Sequence, residues 1–316
     1  MTRYSARASG RIEGVARILA LALAAAAPLM LGGNARAADI APPETIAKAG
    51  KIVICSDMTG PPLEFLDEST KPVGSDIDIG REIAKRFGVK DEWNNLPFKG
   101  LVPALLAKQC DAILSQLFDK PERRETIGLV DYMNSSEALL VAAGNPKKLH
   151  TLEDLSGTKV AVENGTTINE LLGEQSKKFV AAGKKPIDIV VFPKDTDALQ
   201  QLQIGQADAY GTTLETAAFY MTKAPGVFEV AGPPFHQILT GIGIRKDDAA
   251  LQEAVQKAVD AMKADGTLLK ILTAIGYRKD EPALGAALQK AIDAMRADGS
   301  LRAILKKWQL EGDMLP

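Results

Sequence analysis

The sequence predicts an α/β fold with a largely parallel sheet covered by helices. Two observations carry this. Past residue 37, short apolar runs alternate with amphipathic segments, the pattern of strand–helix–strand units. The stretches that follow those runs are small and polar, as the carboxyl ends of strands are where open α/β sheets bind ligands. Of the 316 residues, 46% are hydrophobic and 25% charged, which suits ordinary globular domains with real cores. The net charge of −2 and the absence of a basic surplus give no sign of a nucleic-acid partner.

The first 37 residues stand apart. Arg3, Arg7, Arg11 and Arg17 precede 14 uncharged residues, Ile18 to Leu31, too few to span a bilayer comfortably. Ala35-Arg36-Ala37 follows as an A-x-A site. The pattern reads as a secretory leader cleaved after about Ala37, against the plainer alternative of a buried N-terminal helix. No later stretch is apolar enough to span a membrane, and no cysteine at the cleavage site offers a lipid anchor. A leader with a net charge of +4 takes the remaining chain from −2 to −6. The expected location is the periplasm.

Ile52 to Cys55 reads as a buried strand and Asp78 to Phe87 as a helix, with Ile79, Ile83 and Phe87 on one stripe and Gly88 as its stop. Phe98 to Lys108 reads as a second helix and Cys110 to Leu114 as a strand. Thr151 to Asp154 has the form of a capping box opening a short helix. Strands are expected at 159–162, 187–192 and 207–210, with a helix over 196–204. One pattern occurs twice: Leu101-x3-Leu105 before Asp111-Ala112, and Leu199-x2-Leu202 before Asp208-Ala209. Two lobes built alike would explain it, and so would chance, since the matching residues are few.

Cys55 and Cys110 are the only cysteines. An oxidising compartment invites a disulfide. Yet Cys55 ends one expected strand and Cys110 begins another. If these are parallel neighbours, their opposite ends lie on the order of 10 Å apart at ~3.3 Å per residue. A bridge needs Cα atoms within about 7 Å. Two buried free thiols are therefore expected.

Residues 245–272 match residues 278–305 without a gap, at 18 of 28 positions. Each copy places an apolar stripe on a helix: Leu251, Val255, Val259 and Met262, then Leu284, Leu288, Ile292 and Met295. Two copies fall short of the three or so that a solenoid needs, so they read as a local duplication appended to another fold.

Catalytic signatures are missing. His150 and His236 are the only histidines and have no metal-ligand spacing, and Gly241-Ile242-Gly243 is a lone G-x-G. No cofactor and no metal are expected. The strand ends suit binding instead: Ser56 to Gly60, Ser115 to Phe118, Glu163 to Thr167, and Gly211 to Thr213. A helix starting after Gly165-Thr166-Thr167 would aim free N–H groups at an anion.

Four stretches carry a family resemblance: PPLEFLDESTKPVGSDIDIGREIAKRFGV, FKGLVPALLAKQCDAILSQLFDKPERRETIGLVDYM, LEDLSGTKVAVENGTT, and GIGIRKDD with ADGTLLKIL. In this order and spacing, the sequence resembles the polar amino-acid solute-binding proteins of ABC importers, over nearly all of the chain beyond the leader. The resemblance implies the type II periplasmic-binding-protein fold, with two parallel-rich sheets in two lobes joined by crossovers near 135–140 and 238–244. It places lobe 1 at 38–135 plus 240–316, with the duplicated hairpin 278–310, and lobe 2 at 136–239. It implies a ligand cleft between lobes that closes on binding.

The same resemblance assigns roles. Arg123 matches the arginine that clamps a ligand carboxylate, where a planar fork can donate two parallel hydrogen bonds; the alternative is a surface arginine. Phe98 matches an aromatic wall, the alternative being a core Phe. Asp57 matches a polar position beside the ligand side chain, Ser115 and Gln116 match contacts near the carboxylate, and Thr166 and Thr167 match the anion-binding turn. Departures are equally specific. Gly60 replaces a stacking aromatic, Ser75 the Phe of a G-F-D motif, and Phe118 a Ser or Thr. Thr213 replaces the Asp that holds an α-ammonium, and a buried ammonium without a carboxylate is costly. Glu163 is the candidate substitute, if it faces the cleft rather than the surface. Otherwise the ligand lacks that ammonium.

The expected function is the capture of a small polar amino acid or related carboxylate by a monomer that hands it to an ABC permease, with no catalysis. The competing reading is an exported dehydratase on the same scaffold, acting on prephenate-like substrates with Glu163 or Asp57 as acid. A third is a soluble sensory protein that docks through the extra hairpin.

Overall fold

The computed structural model describes residues 40–273. The leader, its cleavage site and the second repeat copy lie outside the described residues.

In chain order, α1 (Glu44–Ala49) leads into β1 (Lys51–Ser56), followed by the short strands β2 (Thr59–Gly60), β3 (Glu64–Leu66) and β4 (Pro72–Val73). Next come α2 (Ser75–Phe87), β5 (Lys90–Asn95), α3 (Leu101–Leu106), β6 (Ala112–Ile113) and α4 (Pro121–Thr126). The long strand β7 (Ile127–Ala142) leads to β8 (Lys159–Glu163), α5 (Thr167–Ala181), β9 (Asp188–Phe192), α6 (Asp195–Gln203) and β10 (Ala209–Thr213). Finally α7 (Leu214–Lys223) and β11 (Phe228–Val230) precede β12 (Phe235–Arg245), α8 (Ala249–Ala264) and α9 (Thr267–Thr273).

Local chemistry explains several of these boundaries. Gly88 ends α2 in the left-handed region at φ 68°, as its lack of a Cβ permits. Thr151 and Asp154 form the expected capping box, around a 3₁₀ turn at Leu152–Leu155. Thr166 caps α5, Thr213 caps α7 and Asp248 caps α8, each accepting a backbone N–H two or three residues into the helix.

The main sheet runs in the order β5-β1-β6-β12-β7-β10-β8-β9, with β11 also paired to β7. β1 is parallel to β5 and β6, and β8 is parallel to β9 and β10. The two parallel groups expected as separate sheets are thus continuous. β7 spans 16 residues, or about 50 Å when extended. It pairs antiparallel with β12 from Ile127↔Arg245 to Glu137↔Phe235, and then with β10.

Each half of the sheet is covered on both faces. On one side of the first half lie Ile52 and Ile54 of β1, Ile79, Ile83 and Phe87 of α2, and the α8 stripe. On the other are Cys55, Leu101, Leu105 and Ile113. In the second half, Val160 and Val162 face Ile168 and Leu172, whereas Ala161 faces Leu199 and Leu202. This is the period-two alternation of strands buried on both faces. No helix among the described residues is long and apolar enough to cross a membrane.

The repeated Leu-Leu-Asp-Ala pattern has one structural meaning in both places. The Asp111 N–H donates to the Val53 carbonyl at 2.7 Å, and its carboxylate accepts the Val53 N–H at 2.8 Å. The Asp208 N–H donates to the Lys159 carbonyl at 2.8 Å, and its carboxylate accepts the Lys159 N–H at 2.9 Å. In each half, an aspartate after a helix closes a two-bond ring onto the neighbouring parallel strand.

The expectation of free thiols is overturned. Cys55 and Cys110 form a disulfide, with Cα atoms 5.7 Å apart. The extended-strand premise fails because β6 begins only at Ala112 and the chain bends at Asp111. That bend, fastened to Val53 by the two-bond ring, folds Cys110 back onto the face that carries Cys55 and Ile113.

The first repeat copy fills a core position. Leu251, Val255, Val259 and Met262 are all fully buried, and Asp265 receives the Arg86 guanidinium at 2.7 Å.

Candidate functional site

The carboxyl ends of β1, β6, β8 and β10 meet around a small cavity of about 50 Å³. All nine residues singled out in the sequence line it: Asp57, Phe98, Ser115, Gln116, Arg123, Glu163, Thr166, Thr167 and Thr213. So do Gly60 and Phe118, two of the positions that depart from the family pattern.

Asp57 follows β1 and is held on both oxygens. One accepts the Phe98 N–H at 2.8 Å and the other the Thr59 hydroxyl at 2.5 Å. The Asp57 N–H donates to Ser115 Oγ at 2.9 Å, and that hydroxyl donates to Glu64 at 3.2 Å. Gln116 takes a positive φ of 44° and works in three directions. Its N–H donates to Asp76 at 3.0 Å, its amide nitrogen donates to the Gly60 carbonyl at 3.1 Å, and its amide oxygen accepts the Thr213 hydroxyl at 2.9 Å.

Two of the departures explain each other. A Cβ on Gly60 would lie 2.8 Å from Glu64 Oε1 and 3.0 Å from Gln116 Nε2. The room that a stacking aromatic would take is filled by a carboxyl and an amide. Thr213 cannot stand in for a carboxylate, because its hydroxyl is spent on Gln116 and on capping α7.

Arg123, on α4, lies 5.5 Å from the centre of the Phe98 ring and donates to the Phe118 carbonyl at 2.8 Å. It makes no salt bridge among the described residues. Burial lowers its pKa, against the upward pull of Glu170, Glu137 and Glu122. A guanidinium in this state is open to a ligand carboxylate, and the start of α5 at Thr166 and Thr167 lines the same cavity.

Glu163, at the end of β8, faces the cavity and not the surface; it is 6% exposed. Its Oε1 is buried with no hydrogen-bond partner. Burial pushes its pKa up to about 11, and the nearby charges of Asp57 and Asp195 push the same way.

Sequence reasoning missed three further lining carboxyls. Glu64 is buried and raised, first by burial and then by Asp76 and Asp57. Glu137 is buried and raised by burial and Glu215, with Arg123 and the Ile168 N–H pulling it back. Asp195 is raised to about 7 by burial, although the Tyr210 hydroxyl donates to it. The signal for Glu137 was an acid directly before the apolar run Ala138–Ala142, near an expected crossover. Asp195 had none, since an acid in the first turn of a helix is ordinary.

The cavity wall thus carries five carboxyls and one guanidinium among the described residues. No group of three His, Cys, Asp or Glu among those residues is placed to hold a metal ion. Such a wall suits an organic ligand with more than one positive group and one carboxylate.

Fold and site together define a solute-binding clamp of the type II periplasmic class, in which a cavity between two α/β halves holds a small polar molecule. The chain belongs to the bacterial extracellular solute-binding proteins, family 3, whose family model matches residues 52–276. It is 32% identical over 226 residues to the histidine-binding periplasmic protein of Escherichia coli K12, covering 69% of this chain and 85% of that one. It is 32% identical over 232 residues to the lysine/arginine/ornithine-binding periplasmic protein of the same strain, covering 71% and 85%. Among solved structures, holo ArgBP from T. maritima matches with a TM-score of 0.63 and 30% identity, covering 69% of this chain and 93% of that one. Its role is to bind a substrate for transport.

Proposed function

We propose that this protein captures an α-amino acid with a cationic side chain in the periplasm and delivers it, as a monomer, to an ABC permease. The observation that carries the reading is the wall itself: one guanidinium without a salt bridge among five carboxyls. The ligand carboxylate sits on Arg123 and the start of α5. Its two positive groups lie beside the lining carboxyls of Asp57, Glu163 and Asp195. The names of the relatives, which bind histidine or lysine, arginine and ornithine, support this class. Lobe 1 comprises residues 38–135 and 240–316, and lobe 2 residues 136–239, with the leader cleaved near Ala37. The protein binds without transforming its ligand.

The test is a thermal-shift and calorimetric screen of the mature protein with L-arginine, L-lysine, L-histidine, L-glutamine and a 2-oxo acid. The cationic amino acids should raise the melting temperature by mass action, while glutamine and the amine-free acid should not. A response confined to the amine-free acid would overturn the ligand class. Turnover of a prephenate-like compound would overturn the claim of binding without chemistry.

A further inference from the structure

We infer that Glu163 reads the ligand's positive charge by exchange, giving up to solvent a proton that it holds while the cavity is free of ligand. The inference rests on the proposed cationic ligand and adds a second, competing occupant of the same place.

The argument is geometric. Glu163 Oε1 is buried and unpartnered, on a side chain that lines the cavity. Three acids face Glu163: Asp57 from the end of β1, Asp195 from the start of α6, and Glu64 from β3. Both Asp57 oxygens are engaged by Thr59 and Phe98, and Asp195 accepts the Tyr210 hydroxyl. Among the described residues, no cation answers Glu163. The Lys99 stem packs against Gly165, but Lys99 is exposed, as is Lys194 beside Asp195. The charges that Arg123 feels belong to Glu170, Glu137 and Glu122.

Closely spaced buried carboxyls without a cation cannot all be ionised. One keeps its proton, and burial together with the charges of Asp57 and Asp195 makes Glu163 the holder. When an ammonium or guanidinium enters, the carboxylate becomes the favoured form. The O–H bond of Glu163 breaks, the electron pair stays on the carboxylate, and the proton passes to water.

The experiment is titration calorimetry of L-arginine into the mature protein at pH 7, in buffers of different ionisation enthalpy. About one proton should be released per arginine bound, and the association constant should rise by up to about tenfold per pH unit between pH 6 and 8. In Glu163→Gln, an isosteric change, the release should fall to near zero and the pH slope should flatten. In Asp195→Asn the release should persist. Arginine binding without proton release would overturn this inference and leave the proposed function standing. Failure of every cationic amino acid to bind would overturn the proposed function instead.

A ligand-free measurement tests the proton by itself. An acid whose folded-state pKa is raised costs stability progressively as pH climbs above its unfolded value, 4.5 for Glu163. The Gln variant lacks that cost, so its melting temperature should gain on the wild type from pH 5 to pH 8. A constant gap across that range would also overturn the inference.

Discussion

Replacing Arg123 with alanine is expected to weaken ligand capture by about 30- to several-thousand-fold. Truncating one partner of a buried, hydrogen-bonded charge pair costs about 2–5 kcal/mol. The upper part of that range applies here for two reasons. Arg123 is the one cationic lining residue among the described residues, and the carboxylate left behind would face Glu137 and Glu163. Lysine at the same position keeps the charge but loses the fork that sits over Phe98, so an intermediate loss is expected. Calorimetry with L-arginine checks both. Stability should hold, because the alanine variant sheds a half-buried charge that has no salt bridge among the described residues and donates to the Phe118 carbonyl. Undiminished affinity in the alanine variant would place the ligand carboxylate elsewhere.

The second large effect concerns the disulfide. Cys55→Ala with Cys110→Ala should lower stability by about 4 kcal/mol, the chain-entropy cost of reopening a loop of about 55 residues. For a domain of this size that is a fall of roughly 8–16 °C in melting temperature. Alanine is the informative substitute, since both positions are buried among Leu101, Leu105 and Ile113, where a serine hydroxyl would lack a partner. Reductant should do little to the folded wild type, because both sulfurs are out of reach of solvent. A double variant that melts within 2 °C or so of the wild type would show that the bond closes a loop already held by Asp111 and Val53.

The site was legible where it follows a rule of chain geometry. Strand ends in an α/β sheet converge, so Asp57, Ser115, Glu163 and Thr213 are brought together by topology alone. The Asp-Ala echo was legible as a repeat, but its meaning, a ring of two hydrogen bonds to the next strand, needs the register. What stayed hidden depends on local bends and long-range facing. Cys110 lies one residue before a bend, and that bend decides which face it meets. Glu64 opens the three-residue strand β3 of a small sheet, and only its approach to Gly60 shows that it fills the place an aromatic at position 60 would take. Asp195 looks like any helix-start acid until Thr59 reaches its N–H at 3.1 Å from the other half.

β7 and β12 also have a mechanical meaning. Two strands zipped antiparallel make a ribbon that flexes readily across its face and resists sliding in its plane, because sliding breaks the ladder. Its register slips between Thr240 and Gly241, and again between Phe235 and Ile238, so compliance is concentrated beside the cavity. Such a ribbon would restrict any movement of the halves to a rocking of nearly one degree of freedom. The bonds from Thr59 to Asp195, from Gln116 to Thr213 and from Lys120 to Glu170 all bridge the moving parts. Rocking the halves apart would break all three, so the cavity opens only at the cost of these cross-links.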